Sequence, residues 1–397
     1  MLFRKATSTE TEAPAETGAE EIVTTTAGPS VSEAGGILTI DCRAIVENWR
    51  ALSSHAAPAE CGAVVKADAY GCGIEPVAKA LSRAGCRTFF VAHIFEAKKL
   101  RAVLPDAVIF VTNGIPPGAA PEFATANAQP VIGNVAELAE WDAFRSVNRW
   151  PGGAALHFDT GLNRLGLPIE EAPALAARIK LPGHGISLVM SHFACSDEPG
   201  HAMNDLQIFA LREIRGMFRG VSASLANSSG IYLGAQAHFD LVRPGIALFG
   251  GNPTPGAVNR MKPVVELKAR IVQVRDIDRG ASVGYNATWT AKRATKIAIV
   301  SVGYADGYPR PAGASDAVTS AAEGLFGGKR CTVVGRVSMD LLAVDVTDAA
   351  GLHPRRGEYI TLIGGPIEID QFALWSRTIS YDVLARFGQR YHRVWKS

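Results

Sequence analysis

The chain has 397 residues and is 47% apolar, enough to bury the core of two domains or of one large barrel with an addition. Forty basic residues against 38 acidic ones leave a formal charge of +2, a field too weak to draw the protein to nucleic acid or a membrane surface, so a small molecule is the expected partner. The six cysteines (Cys42, Cys61, Cys72, Cys86, Cys195 and Cys331) form no CxxC pair, which argues against a zinc ribbon, leaves no metal expected, and fits reduced cytosolic thiols better than a disulfide framework.

In residues 1–35, Thr, Ala, Glu and Gly dominate, six acidic residues stand against Arg4 and Lys5, and scarcely a large apolar side chain follows Phe3. Such a segment cannot bury enough surface to order itself, so a disordered extension is expected. It lacks the apolar stretch of a secretory signal, and no run of about 18 apolar residues follows to span a bilayer. The expected location is the cytoplasm.

From Gly62 onward, short apolar runs end in polar residues and alternate with helix-like stretches. Eight runs begin near Ala63 (AVVK), Thr88 (TFFVAH), Val108 (VIFVTN), Gln129 (QPVIGN), Ala154 (AALHFDT), Gly185 (GISLVMSHF), Ser222 (SASLANSS) and Phe239 (FDLVRPGIAL). Helical stretches such as EPVAKALSRAG and VAELAEWDAFRS lie between them. Strand and helix alternating eight times predict an α/β TIM barrel. A doubly wound sheet is the weaker alternative, because no G-x-G-x-x-G follows the first run. After about Met261 the pattern changes to period-two alternation, as in VVELKARIVQVRDI and KRCTVVGRVSMDLLAVDV, which predicts antiparallel strands of a β-rich C-terminal domain. The expected domains are 36–261 and 262–397.

In a parallel barrel the strand ends Lys66, His93, Asn113, Asp159, His192, Asn227 and Arg243 converge on the mouth where active sites form. A lysine at the buried end of a strand is costly unless its charge is paired or removed, and an imine with pyridoxal phosphate (PLP) removes it. Taken alone, Lys66 fits that chemistry and a lysine snorkelling out of the mouth equally well. A phosphate site is commonly built after strands seven and eight, where NSSG (Asn227–Gly230) and RPGIALFG (Arg243–Gly250) fall; each by itself also makes an ordinary turn or cap. Arg243 alone would read as a rim ion pair.

Together the ordered motifs VVKADAYG, DTGLNRLG, SHFACSDE, NSSG, VRPGIALFG, VGYNATW, VGYADGY, GRVSMD and TISYDV resemble bacterial alanine racemases, PLP enzymes of fold type III, from about Ile37 to the C-terminus. The resemblance implies that Lys66 carries the cofactor and is one catalytic base, with Tyr285 the opposing base. It matches Tyr70, Ser228, Gly245, Ile246 and Tyr381 to phosphate-binding positions, with Asn227 beside them, and sets Arg243 facing the pyridine nitrogen with His192 linking it to the tyrosine. Arg164 corresponds to the arginine near the phenolic oxygen and the substrate carboxylate, the Met339 amide to a second carboxylate donor, and Tyr304 and Arg310 to an access corridor. It also implies a homodimer with shared sites. Two rivals stand beside an alanine racemase: a broader amino-acid racemase of the same fold, and a PLP-binding barrel without turnover. The chain departs from the pattern at Cys72, where many members have histidine, at Ser338, where many have cysteine, and at His157, where many carry a carbamylated lysine. Arg164 must then be oriented by a neutral His157, by an anion such as chloride, or by Asp159.

Overall fold

A computed structural model describes residues 24–179 and 184–397. Most of the expected N-terminal extension, residues 1–23, lies outside the described residues. Its remainder is ordered: β1 (Thr24–Ala27) runs antiparallel to the C-terminal strand, with Thr24 opposite Lys396 and Ala27 opposite Arg393. A sheet edge supplies backbone partners whatever the side chains are, which is how a strand of exposed threonines orders without an apolar face. β2 (Gly36–Asp41) also departs from expectation. Placed by sequence at the start of the barrel, it pairs with strands of the second sheet, and its alternating burial is that of a strand with one face in a core. Asp41 then caps the helix Cys42–Ala56, accepting from the N–H groups of Arg43 and Ala44, and the first barrel layer begins there.

The barrel strands are β3 (Glu60–Cys61), β4 (Ala63–Val64), β5 (Thr88–Val91), β6 (Val108–Val111), β7 (Gln129–Ile132), β8 (Ala154–His157), β9 (Ile186–Met190), β10 (Ser222–Ser224) and β11 (Leu241–Val242). β3 and β4 are halves of one strand interrupted at Gly62, so the eight expected positions are all occupied. Strands β4 to β10 pair parallel in chain order. β11 closes the ring. It is parallel to β3, receives bonds from Gly62 N–H and Val64 N–H at Val242 and Pro244, and bonds through Asp240 N–H and Arg243 N–H to Ala223 and Ala226. The interior is filled by Phe90, Phe110, Val131, Ala155, Leu188, Met190 and Leu241, with Phe90 and Phe110 stacked 5.1 Å apart. Neighbouring residues such as Phe89, Val91 and Ile109 point outward into the main core beneath the helices.

The second domain is built from β12 (Val265–Ile277), β13 (Ser282–Val283), β14 (Trp289–Thr290), β15 (Thr295–Val300), β16 (Glu323–Phe326), β17 (Lys329–Val334), β18 (Leu342–Asp345), β19 (Tyr359–Ile363) and β20 (His392–Lys396). Its nine-stranded sheet runs β1-β20-β2-β12-β15-β18-β17-β16-β19, and β12 also pairs with β19, so the sheet curls back on itself. The long β12 alternates buried and half-buried residues, which is the period-two signal of the sequence. No helix among the described residues is long and apolar enough to cross a membrane.

The two domains meet where β20 passes behind the start of the barrel. Arg393 is buried and donates to Gly71 O (2.7 Å), Phe387 O (3.0 Å) and Gly388 O (3.1 Å), while Trp395 Nε1 donates to Cys72 O at 2.6 Å. Removing the guanidinium leaves three carbonyls short of a donor. Arg393→Met is expected to cost about 3 kcal/mol of stability, read as a lowered midpoint in urea unfolding followed by circular dichroism.

Candidate active site

Lys66 follows β4 at the C-terminal mouth of the barrel and opens to it, its side chain exposed. The chain then enters an uncommon conformation: Ala67, Asp68, Ala69 and Tyr70 all have φ between +53° and +55°, followed by Gly71 at +73°. Four consecutive non-glycine residues in the left-handed region are strained, and strain of this kind gathers at functional sites. Asp68 Oδ1 accepts from Ile74 N–H at 2.9 Å and ties the far end of the turn to the next helix. At the near end Glu96, 4% exposed, accepts from Ala67 N–H at 2.6 Å. The protein packed around Lys66 and, next, the Arg164 guanidinium hold its ammonium below the ordinary lysine pKa, with Glu96 pulling the other way.

Near it Arg243 is buried, with no carboxylate in an ion pair to it among the described residues. Its guanidinium donates to Ser191 O (2.7 Å), Leu225 O (3.2 Å), Ser224 Oγ and His192 Nδ1 (3.3 Å), and its plane lies 5.8 Å from the centre of the Phe90 ring. Burial pulls its pKa down to about 9, which leaves it charged at neutral pH. Because an arginine can only donate, His192 Nδ1 accepts and the neutral ring carries its proton on Nε2. His192 stays well below the usual histidine range, first from burial and then from Arg243, Arg164, His157 and Lys66.

His157 at the end of β8 is 8% exposed, and burial, with Arg243 behind it, lowers its pKa to about 4. It is neutral at pH 7, but no hydrogen bond joins it to Arg164 among the described residues. The loop carrying Arg164 is shaped by Asp159, whose Oδ1 accepts from Gly161 N–H (2.9 Å), Leu162 N–H (3.0 Å) and Asn163 N–H (3.1 Å). Leu167 then returns onto β8 through bonds to His157 and Asp159. The Asp159 carboxylate thus shapes the backbone that carries Arg164.

A cradle for an anion forms where β10 and β11 end. Ser228, 2% exposed, accepts on Oγ from Gly245 N–H (2.9 Å) and Ala247 N–H (3.3 Å), which leaves its own proton to donate. The Ile246 N–H finds no acceptor among the described residues. Asn227 Oδ1 takes Ser196 Oγ (2.9 Å) and Gly230 N–H (2.8 Å), fixing the turn before Ser228. Tyr70 stacks on Phe249 at 4.7 Å and lies 6.0 Å from the Tyr381 ring. A Cβ on Gly245 would collide with Tyr70 Oη, so only glycine lets that hydroxyl approach. Burial raises the Tyr70 pKa, and burial with Asp197 and Asp370 pushes Tyr381 up to about 12, so both phenols are donors at neutral pH. PLP fits this donor set: an amine with lowered basicity, hydroxyl and amide donors for a dianion, and an arginine that keeps its proton. Among the described residues no group of three or more His, Cys, Asp or Glu could hold a metal.

The remaining residues named from sequence lie in the second domain. Tyr285 is 65% exposed in a turn after β13, Tyr304 is 42% and Met339 53% exposed, and Arg310 is exposed. Tyr304, Ala305 and Met339 are held together by Tyr304 N–H to Ser338 O and Ala305 N–H to Met339 O, both 3.0 Å. No hydrogen bond or ring contact joins Tyr285 to the barrel among the described residues. Asp159 was among the candidates to orient Arg164, whereas Glu96 and the stacking partner Phe249 were not singled out as groups acting on the site. Only Glu96 left a trace, as the glutamate three residues after a helix N-cap in HIFE.

Two neutral histidines buried beside arginines carry an acid liability. The folded-state pKa of His157 lies below its unfolded value, so stability is full above about pH 6.5 and is lost as pH falls toward about 4. His157→Asn, neutral throughout, is expected to flatten the fall in thermal midpoint between pH 6.5 and 4.5, and a slope equal to the parent's would contradict the assignment.

Comparisons with known proteins match both domains of the chain. The family described as alanine racemase, N-terminal domain, matches residues 40–253, and alanine racemase, C-terminal domain, matches residues 264–395. The chain is 49% identical to the alanine racemase of Methylobacterium sp. (strain 4-46) over 366 residues, 92% of this chain and 99% of that one. It is 50% identical to that of Methylobacterium nodulans over 366 residues, 92% and 97% of the two chains. Among solved structures, alanine racemase from Bartonella henselae with covalently bound pyridoxal phosphate superimposes with a TM-score of 0.84 at 38% identity, covering 91% of this chain and 99% of that one. With both domain families matched and relatives near half-identical along nearly the whole chain, the protein belongs to the alanine racemase family.

Proposed function

We propose that this protein is a PLP-dependent racemase that interconverts L- and D-alanine as a cytoplasmic homodimer, with Lys66 of one subunit working opposite the partner subunit's Tyr285. The observation that carries the reading is Lys66 beside the Arg243–His192–His157 group and the Ser228–Gly245–Ile246 cradle, in a chain of this family. The location is supported by six free cysteines, five of them buried. The dimer is supported by the large exposed side chains of Tyr285, Tyr304, Met339 and Leu341 on the second domain.

Lys66 would hold the cofactor through Nζ, and the Ser228 hydroxyl, the Gly245 and Ile246 backbone, and the Tyr70 and Tyr381 phenols would hold its phosphate. The bound cofactor supplies the electron-withdrawing ring that acidifies the Cα–H of alanine. Everything else falls to the chain. Lys66, kept below its ordinary pKa, can accept a proton at Nζ on one face of Cα and return it. Tyr285 Oη does the same on the other face, since inversion needs a base on each side. Arg243 keeps its protons and therefore presents a hydrogen bond rather than a transferable proton, which limits how much charge is drawn away from Cα and favours reprotonation over other outcomes. His192 offers Nε2–H on the side away from Arg243. Arg164 and the Met339 amide bind the carboxylate, while Tyr304 and Arg310 line the way in.

The direct test is conversion of L-alanine to D-alanine with and without added PLP, with borohydride trapping expected to label Lys66. A label on another lysine would sink the assignment. Tyr285→Phe should retain the cofactor's absorbance yet lose about 100-fold or more in turnover. Mixing Lys66→Ala with Tyr285→Phe subunits should restore about a quarter of parent activity, because half of the dimers would be mixed and each would keep one intact site of two. Gly245→Ala, which forces Tyr70 Oη aside, is expected to weaken PLP binding about tenfold in an absorbance titration of the apoenzyme.

A further inference from the structure

Holding an amine at a strand end is a matter of the peptide that follows it, and here that peptide is gripped by a single buried side chain. Glu96 is the third residue of the helix Ile94–Val103, between β5 and β6. One carboxylate oxygen accepts from Ala92 N–H (2.9 Å) and His93 N–H (3.0 Å), closing the turn at the end of β5 and capping its own helix. The other reaches across to Ala67 N–H at 2.6 Å, the shortest of the three. No lysine, arginine or histidine forms an ion pair with Glu96 among the described residues, so its charge is held by backbone dipoles.

We propose that Glu96 is a positioning residue for Lys66: it fixes the first peptide of the left-handed turn and thereby aims the Lys66 amine into the barrel mouth. The neighbouring strands explain why such a tether is needed. Ala67 to Tyr70 lie in a conformation that L-residues leave when free to do so, and rotation at Ala67 moves Lys66 directly. The far end of the turn is already secured by Arg393 on Gly71 O, Trp395 on Cys72 O and Asp68 on Ile74 N–H. At the near end, beside the backbone bond from Ala69 N–H to Val65 O (2.9 Å), Glu96 is the side chain that holds the turn. The carboxylate also acts through charge. The charged groups bearing on Lys66 are Arg164, which disfavours its ammonium, and Glu96, which favours it; His192, which lies beside it, is neutral. The arrangement keeps the amine basic enough to serve as a proton carrier within a site dominated by arginines.

The proposal rests on Lys66 being the cofactor lysine, and the experiment separates the two claims. In the apoenzyme, the pH dependence of Lys66 acetylation by trace acetic anhydride, read by peptide mass spectrometry, reports the ionisation of the amine without cofactor or turnover. Glu96→Gln should shift that titration down by about one pH unit and weaken PLP capture about tenfold, with borohydride still labelling Lys66. Glu96→Asp keeps the charge at shorter reach and should leave the titration within about half a unit of the parent's while still weakening capture. An unchanged titration and unchanged capture in Glu96→Gln, with only a lowered unfolding midpoint, would overturn the proposal. If Glu96→Gln does not fold, parent-like capture in Glu96→Asp overturns it equally. A parent enzyme labelled at another lysine defeats the cofactor assignment instead, and the acetylation titration still decides whether Glu96 governs Lys66.

Discussion

The site hangs on the left-handed turn that follows Lys66. Four residues held at φ near +54° carry about 1–2 kcal/mol of strain each, and the turn's own backbone bonds, Ala69 N–H to Val65 O, Gly71 N–H to Ala67 O and Gly73 N–H to Asp68 O, bear part of it. What holds it are bonds from both domains: Glu96 on Ala67 N–H from the barrel, Arg393 on Gly71 O and Trp395 on Cys72 O from β20. Hydrogen bonds to charged groups contribute about 1.5–3 kcal/mol each, which is the size the strain demands. The steric cost fixes where the lysine must point, and the cost is met at the seam between the two domains. The β domain is thus part of what makes Lys66 usable, whatever it adds to the reaction from its other face.

Charge follows the same logic of local cost and remote support. Arg243 is buried among carbonyls, a serine and a histidine with no carboxylate to neutralise it, and the nearby histidines are held neutral. An uncompensated guanidinium in a low-dielectric pocket is expensive unless a ligand of opposite sign arrives. The free proton of Ser228, the unpaired Ile246 N–H and the two protonated phenols point the same way: the site is built incomplete, and an anionic ligand completes it.

Much of this was legible in sequence because the barrel repeats one signal eight times. Each strand is an apolar run ending in a polar residue, and the ends Lys66, His192, Asn227 and Arg243 do meet at one mouth. Elsewhere the sequence misled. GILTID has the alternation of a half-buried strand, but its position next to the first barrel helix drew it into the wrong domain. TTTA lacks any apolar signal, and β1 is ordered instead by backbone pairing with β20 at the far end of the chain, Thr24 opposite Lys396. Glu96 escaped notice because it acts on a backbone N–H across the barrel, and Asp159 was named at its strand end without the turn it holds by the same means.

Tyr285 shows where a single chain stops being informative. His192, Asn227, Ser228 and Arg243 have hydrogen-bond partners within their own subunit, whereas Tyr285 stands exposed on a turn with Asn286 and Ala287 also at positive φ. Strained backbone of this kind persists when the surrounding structure overrides it, and Gly284, packed against Arg336 and Gly335, supplies part of that constraint. A large aromatic side chain held rigidly toward solvent loses both hydration entropy and packing unless something covers it. Under the proposed mechanism Lys66 serves one face of the substrate and a second base must serve the other. In the proposed dimer the β domain of one copy would bring Tyr285 to the barrel mouth of the other, which would make the positive-φ turn at Asn286 and Ala287 in one subunit and the left-handed turn after Lys66 in its partner two parts of one site.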